Sequence, residues 1–395
     1  MNKIMRLPNS CQLLADVNAG GIQRETVDIT RALVKAGVKA GVKAGVKAGG
    51  KVSVCSGDGL LLHDMLRTGA QHKLLPIISR APFTLIRNFW KIRQMMRRQK
   101  IELLHIRSPR LVLLANLLHK PGRIKLVATV HGTAADNKKE SRRFKKLLGK
   151  CDRVIAVSGY VAAQLAEHGI APEKIALIPR GIDMARFDPQ ATKAHRLVEL
   201  AAKWRLPDGV PLIIVPSRLS PKGGQAFLIN TLAEMKDIPF ACLLLGDEAV
   251  NPAYRDELEK LIIELGLEGH VRFVGFCDDM PAAYALADIV ATPALAPEPF
   301  GRVAVEAQAM GRVVVCAGHG AALETVLPDK TGFLFTPGDK DDLKETLKRA
   351  LKLTVTERNA VASAARDHVT AHYRVERMCS DTVALYETLY ATLAE

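Results

Sequence analysis

Strand-like apolar runs alternate with helix-like stretches along almost the whole chain, in two successive series. The first series has runs at Leu13–Val17, Val52–Cys55, Lys73–Ile77, Ile101–Ile106, Lys125–Val130, Arg153–Val157 and Lys174–Ile178. The second has Leu212–Val215, Phe240–Leu245, Val271–Val274, Ile289–Ala291, Val313–Cys316 and Gly332–Phe335. Strands spaced by helices predict an α/β fold with parallel sheets covered on both faces. Pro179-Arg180-Gly181-Ile182-Asp183, followed by Phe187-Asp188-Pro189, separates the two series and is the best domain boundary. The chain ends in a helical pattern over Tyr373–Leu393. Two Rossmann-like halves follow, and open parallel sheets bind ligands beyond the carboxyl ends of their strands.

Bulk properties narrow the function. At 395 residues more than one domain is expected. The seven cysteines have no metal-ligand spacing and several lie in strand-like runs, which points to a reducing cytoplasm. No apolar run reaches the roughly 20 residues of a membrane span. Asn9, Ser10, Gln12 and Asp16 interrupt any signal-peptide core behind Lys3 and Arg6. The net charge of +15 is lopsided: residues 1–190 hold 34 Lys and Arg against 13 Asp and Glu, and the remainder 22 against 28. A basic first half suits nucleic acid or anionic lipid. Aromatics make up only 5 % of the chain, so nucleic-acid binding is not expected. A dinucleotide-dependent dehydrogenase is excluded because no Gly-x-Gly-x-x-Gly follows a strand, Gly57-Asp58-Gly59 being a fragment of one. Ala-Gly-Val-Lys occurs three times from Ala36 to Lys47. With a helix-weakening glycine every fourth residue, this repeat predicts a flexible or partly helical protrusion without catalytic role.

Several loops carry chemistry. Pro297-Glu298-Pro299-Phe300-Gly301 opens a helix from Arg302 that Gly311 is placed to end, with Glu306 a little over one turn inside. Two carboxylates near a helix N-terminus are good acceptors for sugar hydroxyls. After Leu212–Val215 comes Pro216-Ser217-Arg218-Leu219-Ser220-Pro221-Lys222-Gly223-Gly224, where an Arg fork and a mobile Lys suit a diphosphate. Gly20-Gly21, between the first strand and a helix over Ile22–Val34, is a phosphate-approach loop or a plain tight turn. His131 with Gly132, Arg107 and Ser158 sit at strand ends in the first half. Asp278-Asp279 and Asp339-Lys340-Asp341 imitate metal sites, but each precedes a helix and is better read as an N-cap. No essential metal and no cofactor are expected.

Glu298-x7-Glu306 with Phe-Gly behind the first Glu, together with Arg218…Lys222-Gly223, resembles the donor-sugar motif of retaining GT-B glycosyltransferases, most closely glycosyltransferase family 4. The resemblance covers all but the first ten residues and the repeat, and is specific in the second half. It implies a last helix that returns to the first domain. The domains are then 1–185 with 373–395, binding acceptor, and 186–372, binding a UDP- or GDP-type sugar nucleotide as substrate. Arg218 and Lys222 would meet the leaving diphosphate and Glu306 the ribose. Glu298 and the backbone of Phe300, Gly301, Arg302 and Val303 would meet the sugar. Gly20, Gly21, Gly246 and Phe276 would lie near the nucleotide, Phe276 where the base stacks. His131 matches a family histidine that contacts the donor sugar, and Arg107 and Ser158 are acceptor candidates. Arg180 stands where many members carry Asn. The implied reaction is front-side hexosyl transfer with retention; a GT-B phosphorylase or epimerase is the enzymatic alternative.

Two basic amphipathic stretches complete the reading. Phe83–Lys100 has Leu85, Phe89, Ile92 and Met96 on one stripe and no acid from Arg87 to Lys100. Lys138–Lys150 carries seven Lys and Arg against Glu140. Both suit an anionic membrane surface. They suggest a peripheral enzyme on the inner face of the cytoplasmic membrane, acting on a lipid-linked acceptor such as lipopolysaccharide core.

Overall fold

The computed structural model describes residues 7–18, 20–43, 50–77, 79, 81–108, 111–132, 146 and 148–392. The chain divides into two compact units, Met1–Gly181 with Val375–Glu395, and Ile182–Arg374. In the first unit the strands are β1 Ser10–Leu13, β2 Val52–Ser56, β3 Gln71–Leu74, β4 Leu103–Ile106, β5 Lys125–Val130, β6 Arg153–Ala156 and β7 Ile175–Leu177. In the second they are β8 Leu212–Pro216, β9 Ala241–Leu245, β10 Val271–Gly275, β11 Ile289–Thr292, β12 Val313–Ala317 and β13 Phe333–Phe335. The orders are β3-β2-β1-β4-β5-β6-β7 and β10-β9-β8-β11-β12-β13. Every pairing is parallel, as strands joined through helices require. Each order reverses once, at β1/β4 and at β8/β11, and the loops leaving those strands are the natural ligand positions.

Described helices of the first unit are α1 Gly21–Lys43, α2 Leu62–Leu66, α3 Pro82–Gln99, α4 Val112–Leu118 and α5 Gly159–Glu167. The second unit has α6 Ala194–Trp204, α7 Gln225–Leu232, α8 Pro252–Glu264, α9 Met280–Leu286, α10 Arg302–Ala309, α11 Ala322–Thr325, α12 Lys340–Leu351 and α13 Val355–His372. The chain then returns to the first unit as α14, Val375–Ala391.

The first strand differs from its expected range. It ends at Leu13 because Ser10–Leu13 carry the pairing to β2 and β4. Leu14 and Val17 read as strand only because they are buried, in a loop cluster with Val54, Leu61 and Met65. Ser10 and Gln12 hid the true strand. Gln12 is buried because its amide donates to Thr30 Oγ1 at 2.7 Å, so the polar group costs little in the core. Helix α1 also runs beyond Val34 through two tetrapeptides of the repeat, to Lys43. Ala36 packs into the cluster that α14 fills and Gly37 is buried, so small residues serve packing there. Residues 44–49 of the repeat lie outside the described residues.

Ile29 and Leu33 of α1 and Met378, Tyr386 and Leu389 of α14 share one core cluster with Leu103, Val127 and Ile155 of the sheet. The Tyr386 hydroxyl lies 2.6 Å from His105 Nδ1, and His105 Nε2 lies 2.7 Å from Thr129 Oγ1. Both imidazole nitrogens are thereby satisfied inside the sheet. Replacing Tyr386 with Phe leaves one of them buried and unpaired, so we expect a loss of about 1–3 kcal/mol in urea unfolding of the full chain. An unchanged midpoint and slope would show that the hydroxyl contributes nothing to holding α14.

Candidate active site

In the second unit the loops after β8 and β11 are fastened to each other and to the loop after β12. Leu295 N–H donates to Lys222 O at 2.9 Å. Gly224 has φ +77, and a Cβ there would lie 1.8 Å from Pro293 O, so no other residue fits. Gln225, fully buried, donates to Ser217 Oγ at 2.7 Å and Arg218 O at 2.9 Å, fixing the turn from within. On the other side Ala321 N–H donates to Glu298 O at 3.0 Å, and His319 Nε2 lies 2.9 Å from Ala294 O. A Cβ at Gly320 would meet Glu298 O at 2.7 Å and Glu298 N at 2.9 Å. The position of Glu298 is thus set by backbone contacts, leaving its carboxylate unencumbered by the fold.

These contacts bring Arg218 and Glu298 within electrostatic reach. Burial pushes the Glu298 carboxyl above its usual range, and Arg218 partly restores it. The Arg218 and Lys222 side chains are exposed. Gly301, φ +69, stands at the N-cap of α10. Phe300 turns inward, its ring 5.7 Å from that of Tyr373, so only its backbone is available to a ligand. Glu306 is buried and already engaged: Tyr284 Oη donates to one oxygen at 3.0 Å and Arg302 Nε to the other at 2.7 Å. A carboxylate has lone pairs left for two further donors. Phe276 is 58 % exposed beyond β10, an open apolar face. Val303 is half-buried in the first turn of α10. Gly246 is accounted for by packing, since a Cβ there would lie 2.4 Å from Ser217 O. The aspartates read as caps are caps: Asp279 accepts from Ala282 N–H at 3.2 Å and binds Arg196, and Asp339 accepts from Asp342 N–H at 3.0 Å.

In the first unit Gly20 and Gly21 lead into α1, whose first turn has no acid. Gly57 and Gly59 press against this loop; a Cβ at Gly59 would meet Asn18 N at 2.3 Å. The candidates at the ends of β4 and β5 converge on a residue the sequence did not mark, Glu25. Arg107, 1 % exposed, donates from one terminal nitrogen to Glu25 Oε1 at 2.8 Å and from Nε to Gln12 Oε1 at 2.8 Å. Arg180 Nε lies 3.0 Å from Glu25 Oε2, and His131 Nδ1 lies 3.8 Å from the same oxygen. Burial raises the Glu25 carboxyl, but the charges facing it, His131 when protonated together with Arg180 and Arg107, outweigh burial and hold it below its ordinary value. Burial dominates at His131 and pushes it down to about 3, against the pull of Glu25. It is a neutral imidazole at neutral pH. Arg107, the acceptor candidate at the end of β4, is a buried partner of Glu25. Ser158 is the N-cap of α5, accepting from Val161 N–H at 3.1 Å. Glu25 was legible only as an acid four residues before Ile29 on the buried stripe of α1. Tyr284 carried no signal, whereas Gly318-His319-Gly320 after β12 did.

Residues 19–186 match the family described as Glycosyltransferase Family 4, and residues 199–368 match Glycosyl transferases group 1. A GDP-mannose-dependent alpha-(1-6)-phosphatidylinositol monomannoside mannosyltransferase of Mycobacterium tuberculosis is 30 % identical over 300 residues, 72 % of this chain and 72 % of that protein. A D-inositol 3-phosphate glycosyltransferase of Jonesia denitrificans is matched over 66 % of its length. A glycosyltransferase from Rickettsia africae has a similar structure, with TM-score 0.82 and 25 % identity, covering 97 % of this chain and 99 % of that one. Two parallel-sheet α/β units of this order, with that structural likeness, define a GT-B glycosyltransferase. The chain belongs to the glycosyltransferases of the family 4 type.

The buried histidines give a pH signature. His105 is held well below 6.5 by burial and then Arg107, and His131 lies at about 3. Unfolding lets both titrate near 6.5, so the unfolded chain binds more protons as pH falls below that value. Stability is therefore complete above pH 6.5 and declines below it, by about 1.4 kcal/mol per pH unit for each group. His131→Asn should flatten the dependence of the melting midpoint between about pH 7 and pH 5. Parallel curves for variant and wild type would contradict a neutral His131.

Proposed function

We propose that the protein is a retaining hexosyltransferase that moves a sugar from a UDP- or GDP-type nucleotide to a lipid-linked envelope glycan of the lipopolysaccharide-core kind. The observation that carries the reading is the Glu298 carboxylate, held by backbone contacts near the start of α10 and facing the charge of Arg218 at the β8/β11 reversal. Arg218 and Lys222 take up charge developing on the leaving diphosphate, a preorganised electrostatic role. The departing phosphate assists removal of the acceptor proton. Glu306 holds the ribose with its remaining lone pairs, and Tyr284 and Arg302 fix its orientation. Backbone N–H groups around Gly301–Val303 meet the sugar, and Phe276 offers a face to the base. His131 acts as an uncharged hydrogen-bonding group, and Glu25, Arg107 and Arg180 set its surroundings. The GDP-mannose dependence of the Mycobacterium relative supports a sugar-nucleotide donor. Its phosphatidylinositol-type acceptor favours a second reading of the acceptor, as an inositol glycolipid.

Membrane apposition is supported by α3. Phe83, Ile86 and Trp90 are exposed on it at helical spacing, Trp90 to 58 %, beside Arg87 and Lys91. The stripe foreseen there splits, because Ile92 and Met96 are buried against the unit while Leu85 is exposed. Most of Lys138–Lys150 lies outside the described residues. No described helix is long and apolar enough to cross a membrane, so the reading is of a peripheral enzyme, placed on the inner face of the cytoplasmic membrane.

The first test screens sugar nucleotides for thermal stabilisation and follows the product anomer by NMR. A donor should raise the midpoint and its anomeric configuration should be kept; an inverted product removes the retaining assignment. With that donor, Glu306→Ala should abolish binding while Glu298→Gln mainly lowers turnover. Arg218→Ala or Lys222→Ala should each cost about 2–4 kcal/mol of transition-state stabilisation. Wild-type rates in the Arg218/Lys222 double variant would remove the site. For the membrane, Trp90 fluorescence should shift to the blue with anionic vesicles at low salt. Trp204 is already buried, so the change reports α3. A spectrum indifferent to lipid charge would favour a soluble acceptor.

A further inference from the structure

Five cations converge where α3 and α4 end. Arg93, Arg97 and Lys100, Lys120 and Arg123 surround a pocket of about 310 Å³ whose floor includes Met96 and Leu118. Among the described residues no carboxylate lines it, and none of the five makes an ion pair there. Elsewhere on the molecule exposed cations find partners, as Lys340 does with Glu234 and Arg349 with Asp329. Arg93 is held in place by its neighbours, its guanidinium 5.6 Å from the centre of the Trp90 ring, while its buried Nε has no hydrogen-bond partner. Such a set of converging donors around an apolar floor is complementary to a phosphate carried on an apolar body.

We propose that this pocket binds the phosphate headgroup of an anionic membrane lipid. Leu117, 63 % exposed at its rim, would meet the glycerol and first methylenes. The pocket belongs to neither donor nor acceptor site. Helices α3 and α4 lead into the amino ends of β4 and β5, whereas Arg107 and His131 follow their carboxyl ends. The six residues of β5 separate the two edges by roughly 20 Å. One end of α3 therefore presents the apolar Phe83, Ile86 and Trp90, and the other a headgroup seat. A second basic pocket on the opposite flank of α3 is larger, about 510 Å³, but is lined by three glutamines. Of these Gln99 is already bonded to Gln71 and Ser53, which leaves Lys73, Lys91 and Arg98 as its permanent charges.

The proposal rests on the membrane reading above, and the experiment separates the two. Full-length protein is sedimented with vesicles of phosphatidylcholine alone or with phosphatidylglycerol, across salt. Two charge-matched double variants are compared with wild type: Arg97→Ser/Arg123→Ser in the pocket, and Lys73→Ser/Arg98→Ser on the other flank. All four residues are exposed, and thermal melting checks that the variants fold. We expect the pocket pair to weaken partitioning on the order of tenfold or more and the other pair by about threefold or less. Equal losses would overturn the seat and leave diffuse attraction to the membrane. No binding of wild type to anionic vesicles at low salt would overturn both readings. Glycerol phosphate is added as a competitor: release of bound protein at millimolar concentration, in the wild type but not the pocket pair, supports a phosphate-specific seat. Release from both would overturn it.

Discussion

The buried carboxylate of Glu25 is the interaction on which the carboxyl edge of the first sheet depends. It sits on α1, one turn past the glycine pair, and faces groups from three other segments: Arg107 beyond β4, His131 beyond β5 and Arg180 before the boundary. A single buried guanidinium would carry a desolvation cost of several kcal/mol without it. With Gln12 as a second partner of Arg107, polar groups at the β1/β4 reversal hold one another in place. Burial, helped by Arg180 and Arg107 and opposed by Glu25, keeps His131 neutral. Removing Glu25 would leave two arginines facing a buried imidazole, so its role is to make that arrangement of donors tolerable in a core.

The second unit reaches a comparable rigidity by other means. There the backbone, not a buried charge, sets the site. Gly224 and Gly320 let the loops after β8 and β12 approach the loop after β11 at distances that any side chain would prevent. Glu298 is held through its carbonyl, which accepts from Ala321 N–H, and by the close approach of Gly320 to its backbone. Arg218 and Lys222 are both exposed on the loop after β8. Glu306 is the exception, a buried acid restrained by Tyr284 and Arg302 on its own side of the sheet.

Much of this was legible in the sequence because it follows from period and punctuation. Most strands written as Val-, Ile- and Leu-rich runs appear where expected, to within a few residues at their ends, since a parallel strand buried on both faces has to be apolar; the edge strand β3, Gln71–Leu74, is exposed and starts two residues before the expected Lys73–Ile77. The failure at β1 has the opposite cause: Ser10 and Gln12 are core residues whose polarity is satisfied by tertiary partners that the local pattern does not contain. Glu298, Glu306 and Arg218 were visible because turn residues and a helix start stand beside them. The pairing of Arg107 was not legible, because its partner Glu25 lies 82 residues away on a helix whose buried stripe looked ordinary. Spacing along the chain reports neighbours on one element, and a buried ion pair joins two.

The charge asymmetry between the halves acquires a physical meaning from the pairing pattern. In the second unit, Glu234 accepts from Lys340 and Lys344, Arg349 meets Asp329, and Arg255 meets Glu248 and Glu259. Such exposed pairs contribute little to stability individually, but they cancel the long-range field of that surface. Along α3 the cations find no such partners among the described residues. Arg97 and Arg98 lie in the last turn, where the helix dipole favours them. That argument does not reach Arg87 and Lys91, nor Lys120 and Arg123 beyond α4. Repulsion among them is a standing cost to the fold, moderated by solvent and salt. A surface that keeps its charges uncancelled and sets aromatic and aliphatic side chains among them projects a field that a neutral mixture of the same residues would not. On the membrane reading proposed above, that field would orient the first unit before contact, and the apolar residues would act only after it.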